Sequence, residues 1–390
     1  MNSQNYILWL PSWYPNELEP YNGDFIQRHA NVAALNNNIT VIFFTQYGEG
    51  KASGYKVFKN VTGTLTEIIV HIPFKPSGFP FADRLRYNFT FYNFSKRFLE
   101  KYFKDNGLPN LVHVHVPMKA GNFALWIKKK FGISYILSEQ ASTYLIQAPD
   151  NFFNRHWIYR LQVKKIFSEA AIVTNVSLAI GKLLKQLFPI KSFRVIHNVV
   201  DTRFFYPGSV RNNIFTYIHV SSLTDQKNIF GILRVFKNLA AIADDWKLLL
   251  VGPVTKEIVN FIEIEQLNHL IEFVGEVPYS EVANYMRQAH VKVLFSKHEN
   301  FPCVVVEALC CGLPVVSSDV AGVNEAVNEL NGILVESQNE DALLKAVIKI
   351  RQTYNTFDSA GIAADAAKKF SYPVIAKQFD ELYDPLLSAG

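Results

Sequence analysis

The chain has little cysteine, no long apolar run and none of the short glycine motifs that mark common nucleotide sites. Its three cysteines, Cys303, Cys310 and Cys311, lie within nine positions of one another. They form no disulfide framework, and with no histidine at ligand spacing they form no zinc site. They read instead as small apolar packing residues in a reducing cytoplasm. Nothing approaches the run of about eighteen apolar residues that a membrane-spanning helix needs. The opening MNSQNYILWLPSWYP has a short apolar run that Pro11 breaks, so it does not read as a signal peptide. Neither G-x-G-x-x-G nor G-x-x-x-x-G-K-[ST] occurs, and the dehydrogenase and P-loop readings therefore lack their motifs.

What is present is a chain of 390 residues, 49 % hydrophobic and 19 % charged, which describes a folded protein with no disordered tail. That length exceeds one ordinary core, so two domains of about 200 residues are expected. Charge is divided unevenly between them. Residues 1–200 carry 23 Lys and Arg against 11 Asp and Glu, a net of +12; residues 201–390 carry the remaining 16 against 23, a net of −7. Halves this unlike suggest different partners. The basic half interleaves aromatics, as in FADRLRYNFTFYNFSKRFLEKYFK (81–104) and NRHWIYRLQVKKIF (154–167). Such a surface suits anionic lipid headgroups or an acidic acceptor, and no nucleic-acid partner is expected.

Apolar runs of strand length alternate with helical stretches throughout. The first half offers 6–10, 39–44, 67–72, 111–116, 134–138, 171–176 and 193–198; the second offers 215–222, 247–252, 271–275, 291–296, 314–318 and 332–336. Continuous apolar strands, each followed by a helix, imply parallel sheets covered on both faces. Two doubly wound Rossmann-like domains in tandem are therefore expected, 1–200 and 201–370. The break falls in NVVDTRFFYPGSVRNN (198–213), where Pro207, Gly208 and two asparagines interrupt periodicity. Residues 371–390 read as a last helix, starting at Pro373, that reaches back to the first domain. Ligands in such folds lie beyond the carboxyl ends of the strands.

The stretch HENFPCVVVE (298–307) sits there. Glu299 and Glu307 lie eight positions apart around an apolar run, and three valines precede Glu307. A carboxylate in so apolar a helix needs a partner or loses its charge, and the expected partner is a ligand rather than protein. The helix N-terminus can seat a phosphate, Glu307 can accept from vicinal hydroxyls such as a ribose, and Glu299 can reach hydroxyls beyond a diphosphate. Lys227, just after the strand FTYIHVSS, is a candidate countercharge for a leaving diphosphate. Gly23, between the first strand and first helix, permits close backbone approach to an anion.

HENFPCVVVEALCCGLPVVSSDVAGVNEAV, with FVGEVPYSEVANYMRQAHVKVLFS before it and NGILVE after it, resembles the signature of family 4 of the retaining glycosyltransferases. LPSWYPNELEPYNGDFIQRHA and IHNVVDTRFFYP resemble its N-terminal part, so the likeness covers most of the chain. The resemblance implies the GT-B fold, with two Rossmann-like domains facing a central cleft. It implies sugar transfer from a nucleotide-diphosphate sugar as co-substrate, without cofactor or metal; no D-x-D motif for holding a divalent cation occurs. Carried over residue by residue, it gives Glu307 the donor ribose and Glu299 the sugar. Asn300, Phe301 and the backbone of Pro302, Cys303 and Val304 would cradle sugar and phosphate. Lys227, Gly23 and Ser222 would meet the diphosphate, while Gly252 and Val274 would lie near the base.

The chain departs from the pattern twice. Ser221 and Ser222 stand where the family commonly has Gly-Arg, which removes one phosphate-binding charge. Gln140 stands where a histidine is frequent; it can hydrogen-bond a sugar but cannot titrate, and the resemblance implies front-face attack assisted by the leaving phosphate. His113 and His115 alternate on one strand, one face of which is a candidate for reaching the cleft. The expected function is hexosyl transfer from a UDP- or GDP-sugar to a glycan or lipid-linked acceptor in cell-surface polysaccharide synthesis, in the cytoplasm at the inner membrane face. The two departures motivate an alternative, a catalytically inactive nucleotide-sugar-binding or scaffold protein on the same fold. An epimerase would need acid and base residues that the sequence does not offer, and a phosphorylase a cofactor lysine motif that is absent. Acceptor choice is assigned to variable loops at 46–66 and 73–88.

Overall fold

A computed structural model describes residues 6–47, 54–148 and 150–388. The chain opens with β1 (Ile7–Pro11), α1 (Asp24–Ala33), β2 (Ile39–Tyr47), β3 (Lys56–Thr62), β4 (Leu65–Pro73) and α2 (Pro80–Asn106). It continues through β5 (Leu111–His115), α3 (Ala120–Phe131), β6 (Tyr135–Glu139), α4 (Trp157–Glu169), β7 (Ile172–Asn175), α5 (Leu178–Leu187) and β8 (Phe193–Val195). These strands form one sheet of order β3-β4-β2-β1-β5-β6-β7-β8, parallel except for the β3–β4 pair.

The second half runs β9 (Phe215–Val220), α6 (Ile229–Ala240), β10 (Trp246–Val251), α7 (Lys256–Ile264), β11 (Ile271–Gly275) and α8 (Tyr279–Gln288). Then come β12 (Val291–Leu294), α9 (Cys303–Cys310), β13 (Val315–Ser318), β14 (Gly332–Val335), α10 (Glu340–Gln352), α11 (Ser359–Phe370) and α12 (Tyr372–Leu387). Its sheet is all parallel, of order β11-β10-β9-β12-β13-β14.

Alternation within each strand fills a core on both faces, as parallel sheets require. Leu8 and Leu10 of β1 pack with Phe91, Phe123 and Ile166 under α2, α3 and α4, whereas Ile7 and Trp9 pack with Ile26 of α1 and Phe379 of α12. In β10, Leu249 and Val251 join one cluster and Leu248 and Leu250 the other. Each sheet reverses its strand order beside its first strand, β1 between β2 and β5, and β9 between β10 and β12. Ligands enter such sheets at those switch points, and Gly23, Lys227 and Glu299 follow β1, β9 and β12.

The chain crosses between the halves twice at one place: Val200 pairs with Ser371, and its N–H donates to the Phe370 carbonyl at 2.8 Å. The last helix, α12, starts with Pro373 in its first turn and lies on α1 of the first sheet. The two Rossmann-like domains and the returning helix are thus the GT-B arrangement.

Two loop expectations need correction. Within 46–66, residues 48–53 lie outside the described residues, but 56–62 form β3, an exposed edge strand turning back on β4. Within 73–88, α2 already begins at Pro80.

Candidate functional site

Two loops of the second domain are laced together before any charged pair is counted. The Lys297 N–H donates to the Gln226 carbonyl at 2.9 Å, the Gln226 amide donates to the His298 carbonyl at 3.1 Å, and Lys297 Nζ meets Asp225 at 2.7 Å. This lacing fixes the loop after β9 on the loop after β12, and so sets Lys227 against Glu299. Lys227 Nζ lies 2.5 Å from Glu299 Oε1, with the carboxylate almost wholly buried. The pair neutralises two charges that water reaches poorly, and a diphosphate would offer the lysine a second anion without moving it far.

Glu307, in the second turn of α9, is 2 % exposed. Its carboxylate already has one protein partner, which the sequence reading did not foresee. Arg28 of α1 reaches across from the first domain and places Nη1 2.6 Å from Glu307 Oε1. Its Nη2 meets Asp24, four residues back on α1, at 3.0 Å, and its guanidinium lies 4.8 Å from the centre of the Tyr279 ring. Burial pushes the Glu307 carboxyl above its ordinary value, and Arg28 pulls it back down. The Cys303 thiol beside them is pushed up to about 12 by burial, so it stays a neutral packing group. Cys310 and Cys311 are free, buried thiols in the core.

Beneath this cluster lies a residue the sequence reading passed over. Lys292 is fully buried in β12, and its Nζ donates to the Val220 carbonyl at 3.3 Å. Burial lowers it to about 7, against the pull of Glu307 and Glu299. A lysine inside the otherwise apolar VKVLFS was the available signal.

The remaining donor-side residues divide between ligand space and domain contact. Asn300 accepts from Ser177 Oγ of the first domain at 3.1 Å. Phe301 stacks on His197 at 4.5 Å, and its carbonyl accepts from Asn198 at 2.6 Å. Pro302 is the N-cap of α9, buried like Phe301; Cys303 and Val304 are half-buried at its first turn. Ser222 is exposed and Val274 half-buried. Gly252 is required by crowding, since a Cβ there would stand 2.0 Å from the Ser221 carbonyl oxygen.

On the first domain, Gly23 caps α1 with φ of +71°, and a Cβ would meet the Trp13 backbone at 2.7 Å. Loop closure alone therefore demands glycine here. Gln140 does not join the Lys227–Glu299 cluster; its amide donates to His29 Nδ1 at 3.1 Å, and His29 Nε2 donates to the His197 carbonyl at 3.0 Å. Burial lowers His29 to about 4, so it is neutral. His113 and His115 do not reach the cleft. Both are wholly buried, His115 against the Trp9 ring and His113 under α12, bonding Tyr383 at 2.8 Å and Ser138 at 2.7 Å. Burial lowers His113 to about 3, so it packs as a neutral ring.

Beyond β1, β2, β5 and β6 opens a cavity of about 420 Å³, lined in part by Trp13, Lys119, Glu139, Tyr144, Arg155 and Tyr159. Glu139 accepts from the Gln140 and Ala141 N–H groups at 2.8 and 2.7 Å and from Tyr144 Oη at 2.7 Å; burial raises it to about 7. Val116 and Lys119, in the loop along its wall, both hold φ of +63°. For a β-branched valine that is real strain, of the kind concentrated at ligand sites.

Two family models match the chain, Glycosyltransferase Family 4 over residues 32–204 and Glycosyl transferases group 1 over residues 207–367. The uncharacterized glycosyltransferase MJ1178 of Methanocaldococcus jannaschii is 27 % identical over 285 residues, 70 % of this chain and 76 % of that protein. TuaC of Bacillus subtilis, a glycosyltransferase named for teichuronic acid biosynthesis, is 24 % identical over 361 residues, 88 % of each chain. The structure of Anabaena HepE in complex with UDP-glucose superposes with a TM-score of 0.71 at 16 % identity, covering 98 % of this chain and all of that one (100 %). That superposition shows the shared GT-B fold, and the matches in both halves support a glycosyltransferase.

Proposed function

We propose, from the premise that the chain is a glycosyltransferase of the GT-B fold, that it is a retaining, metal-independent hexosyltransferase. It would move a sugar from a UDP- or GDP-sugar to a hydroxyl of a glycan or lipid-linked acceptor, in cell-surface polysaccharide synthesis at the cytoplasmic membrane face. The observation that carries this reading is the convergence of Lys227, Glu299 and Glu307 at the entrance to α9.

Each has a task there. The free N–H groups of the first turn of α9 and the Lys227 ammonium would stabilise the charge that grows on the leaving diphosphate. Glu307 would accept from the ribose hydroxyls and Glu299 from the sugar. Gln140 cannot titrate and His29 is a weak base in its burial, which favours a phosphate oxygen of the departing group as acceptor of the attacking hydroxyl's proton. That oxygen would lie on the face the nucleophile approaches, as retention requires. The UDP-glucose bound by HepE and the polymer in the name of TuaC support the donor class and the setting.

Titration calorimetry of UDP, GDP, ADP and their common sugars tests the reading against wild type and Glu307→Ala. One nucleotide should bind in the micromolar range and lose at least about tenfold in the variant, a loss of about 1.4 kcal/mol. If no nucleotide binds wild type, the scaffold reading replaces the transferase.

A further inference from the structure

The first domain carries an unexplained surface beside its cavity. Most of α2 is amphipathic in the ordinary way, with Phe91, Leu99 and Phe103 buried against the sheet. Its first three turns are not. Phe81, Leu85 and Phe89, at four-residue spacing and so on one stripe, are 78, 58 and 73 % exposed, and Phe79 just before them is 73 % exposed. On α4, Trp157, Ile158 and Leu161 form a second exposed stripe at 57 % each. Single exposed apolar residues need no account, but two stripes of aromatic and aliphatic side chains mark an interaction surface.

The two stripes lie on the same side of the molecule. Tyr92 Oη donates to the Asn122 carbonyl at 3.0 Å, and the Gln162 amide meets Asn122 Oδ1 at 2.5 Å, which sets α2, α3 and α4 abreast at residues 92, 122 and 162. All three helices start from the carboxyl edge of the sheet. The exposed segments precede that level on both α2 and α4, and twelve residues of α2 overhang it, roughly 18 Å of helix. The cavity opens between them. Lys119 of its wall lies over the Tyr87 and Phe91 rings of α2, at 5.4 and 5.0 Å, while Arg155 and Tyr159 of its wall belong to the α4 end.

The charge around the stripes has one sign in excess. Arg84 and Arg86 flank the first, and Arg155, Arg160, Lys164 and Lys165 flank the second; Arg86 and Arg155 are paired with Asp83 and Asp150, at 3.1 and 2.6 Å, which leaves Arg84, Arg160, Lys164 and Lys165 as the excess. The acid of the overhang, Asp83, accepts from the Ser77 and Gly78 N–H groups and from Arg86. Apolar side chains set among basic ones fit the headgroup layer of an anionic bilayer, where rings sink to the acyl boundary and the bases meet phosphates. An aromatic-walled, carboxylate-bearing cavity fits a sugar.

We propose that residues 79–89 and 155–161 form a docking rim that seats the protein on an anionic membrane, with the cavity between them receiving the sugar of a lipid-borne acceptor. The docking rests on the surface alone; the acceptor's place rests on the transferase reading.

Co-sedimentation with phosphatidylcholine vesicles, with and without phosphatidylglycerol, is the test. Wild type should bind the anionic vesicles far better, and added salt should weaken that binding as a screened attraction must. The triple variant Phe81→Ser, Leu85→Ser, Phe89→Ser and the separate variant Trp157→Ser, Leu161→Ser should each lose about tenfold or more. Circular dichroism checks that both are folded, and calorimetry should show both binding nucleotide as wild type does. Undiminished vesicle binding in both folded variants overturns the proposal, as does equal partition to neutral vesicles. A wild-type dimer that ignores vesicles and dissociates in the variants also overturns it, since a second copy would then be the occupant. Wild type that docks but binds no nucleotide leaves the rim standing and removes the transferase.

Discussion

Two short ion pairs flank α9, and they differ in where the cation comes from. Lys227 and Glu299 belong to one domain, and their loops are laced by backbone bonds. Arg28 and Glu307 belong to opposite domains, so their contact exists only while the domains are apposed. The first pair is a fixed seat with its countercharge already in place. The second couples the state of the cleft to the state of one carboxylate. An incoming ribose would meet Glu307 with an arginine already on one oxygen. On the proposed reading, donor binding would bear on domain closure through Glu307 in a way it would not through Glu299.

Breaking the fixed pair should have the largest effect. On the proposed reading, Lys227→Ala removes charge aimed at the leaving group and should lower kcat by about 100- to 1000-fold, as loss of a preorganised electrostatic group does. Transfer of whichever sugar the donor screen identifies is the readout. Breaking the shared pair should be felt first in stability. Arg28→Ala leaves a buried carboxylate unpaired, at about 3 kcal/mol near pH 7. The sign with pH follows from the direction of the shift. With Arg28 gone the Glu307 carboxyl rises further above its unfolded value, so the folded state binds the proton more tightly. The deficit in denaturant unfolding should shrink as pH falls towards about 4.3. A deficit that does not change with pH would show that Arg28 acts through packing on Tyr279 instead. Scattering in solution should also show the variant more open than wild type.

An effect of the opposite sign should come from beneath both pairs. Lys292 is held near 7 in the fold against about 10.4 in the unfolded chain, so the unfolded state binds the extra proton between those values. Its contribution makes the native state gain stability as pH rises through that window. Lys292→Met should raise the unfolding midpoint at pH 7 and flatten the rise above it.

The seat of the fixed pair was legible because its signals are local. Strands that are buried on both faces announce themselves as unbroken apolar runs, and residues after them fall at the carboxyl edge, so Lys227 and Glu299 could be placed together. The shared pair was not legible. Arg28 and Glu307 stand 279 positions apart, and nothing in QRHA marks an arginine bound for the other domain. Lys292 escaped for a related reason, because its neighbours in sequence are apolar and the charges that face it come from loops elsewhere. The edge strand β3 was read as loop since KVFKNVT is polar and exposed, as edge strands are when they discourage further pairing. Strand position alone makes one face of the His113–His115 strand a candidate for reaching the cleft, but the helix that covers His113 arrives from the far end of the chain.

That helix has a consequence for the order of events in synthesis. Residues 6–200 leave the ribosome first, yet one face of their sheet, with Trp9 and His113, is closed by Phe379 and Tyr383 of α12. The domain begun first is thus completed last. While residues 201–370 are being made, the earlier half carries an uncovered aromatic face, the sort of surface that chaperones hold and that truncated chains aggregate through.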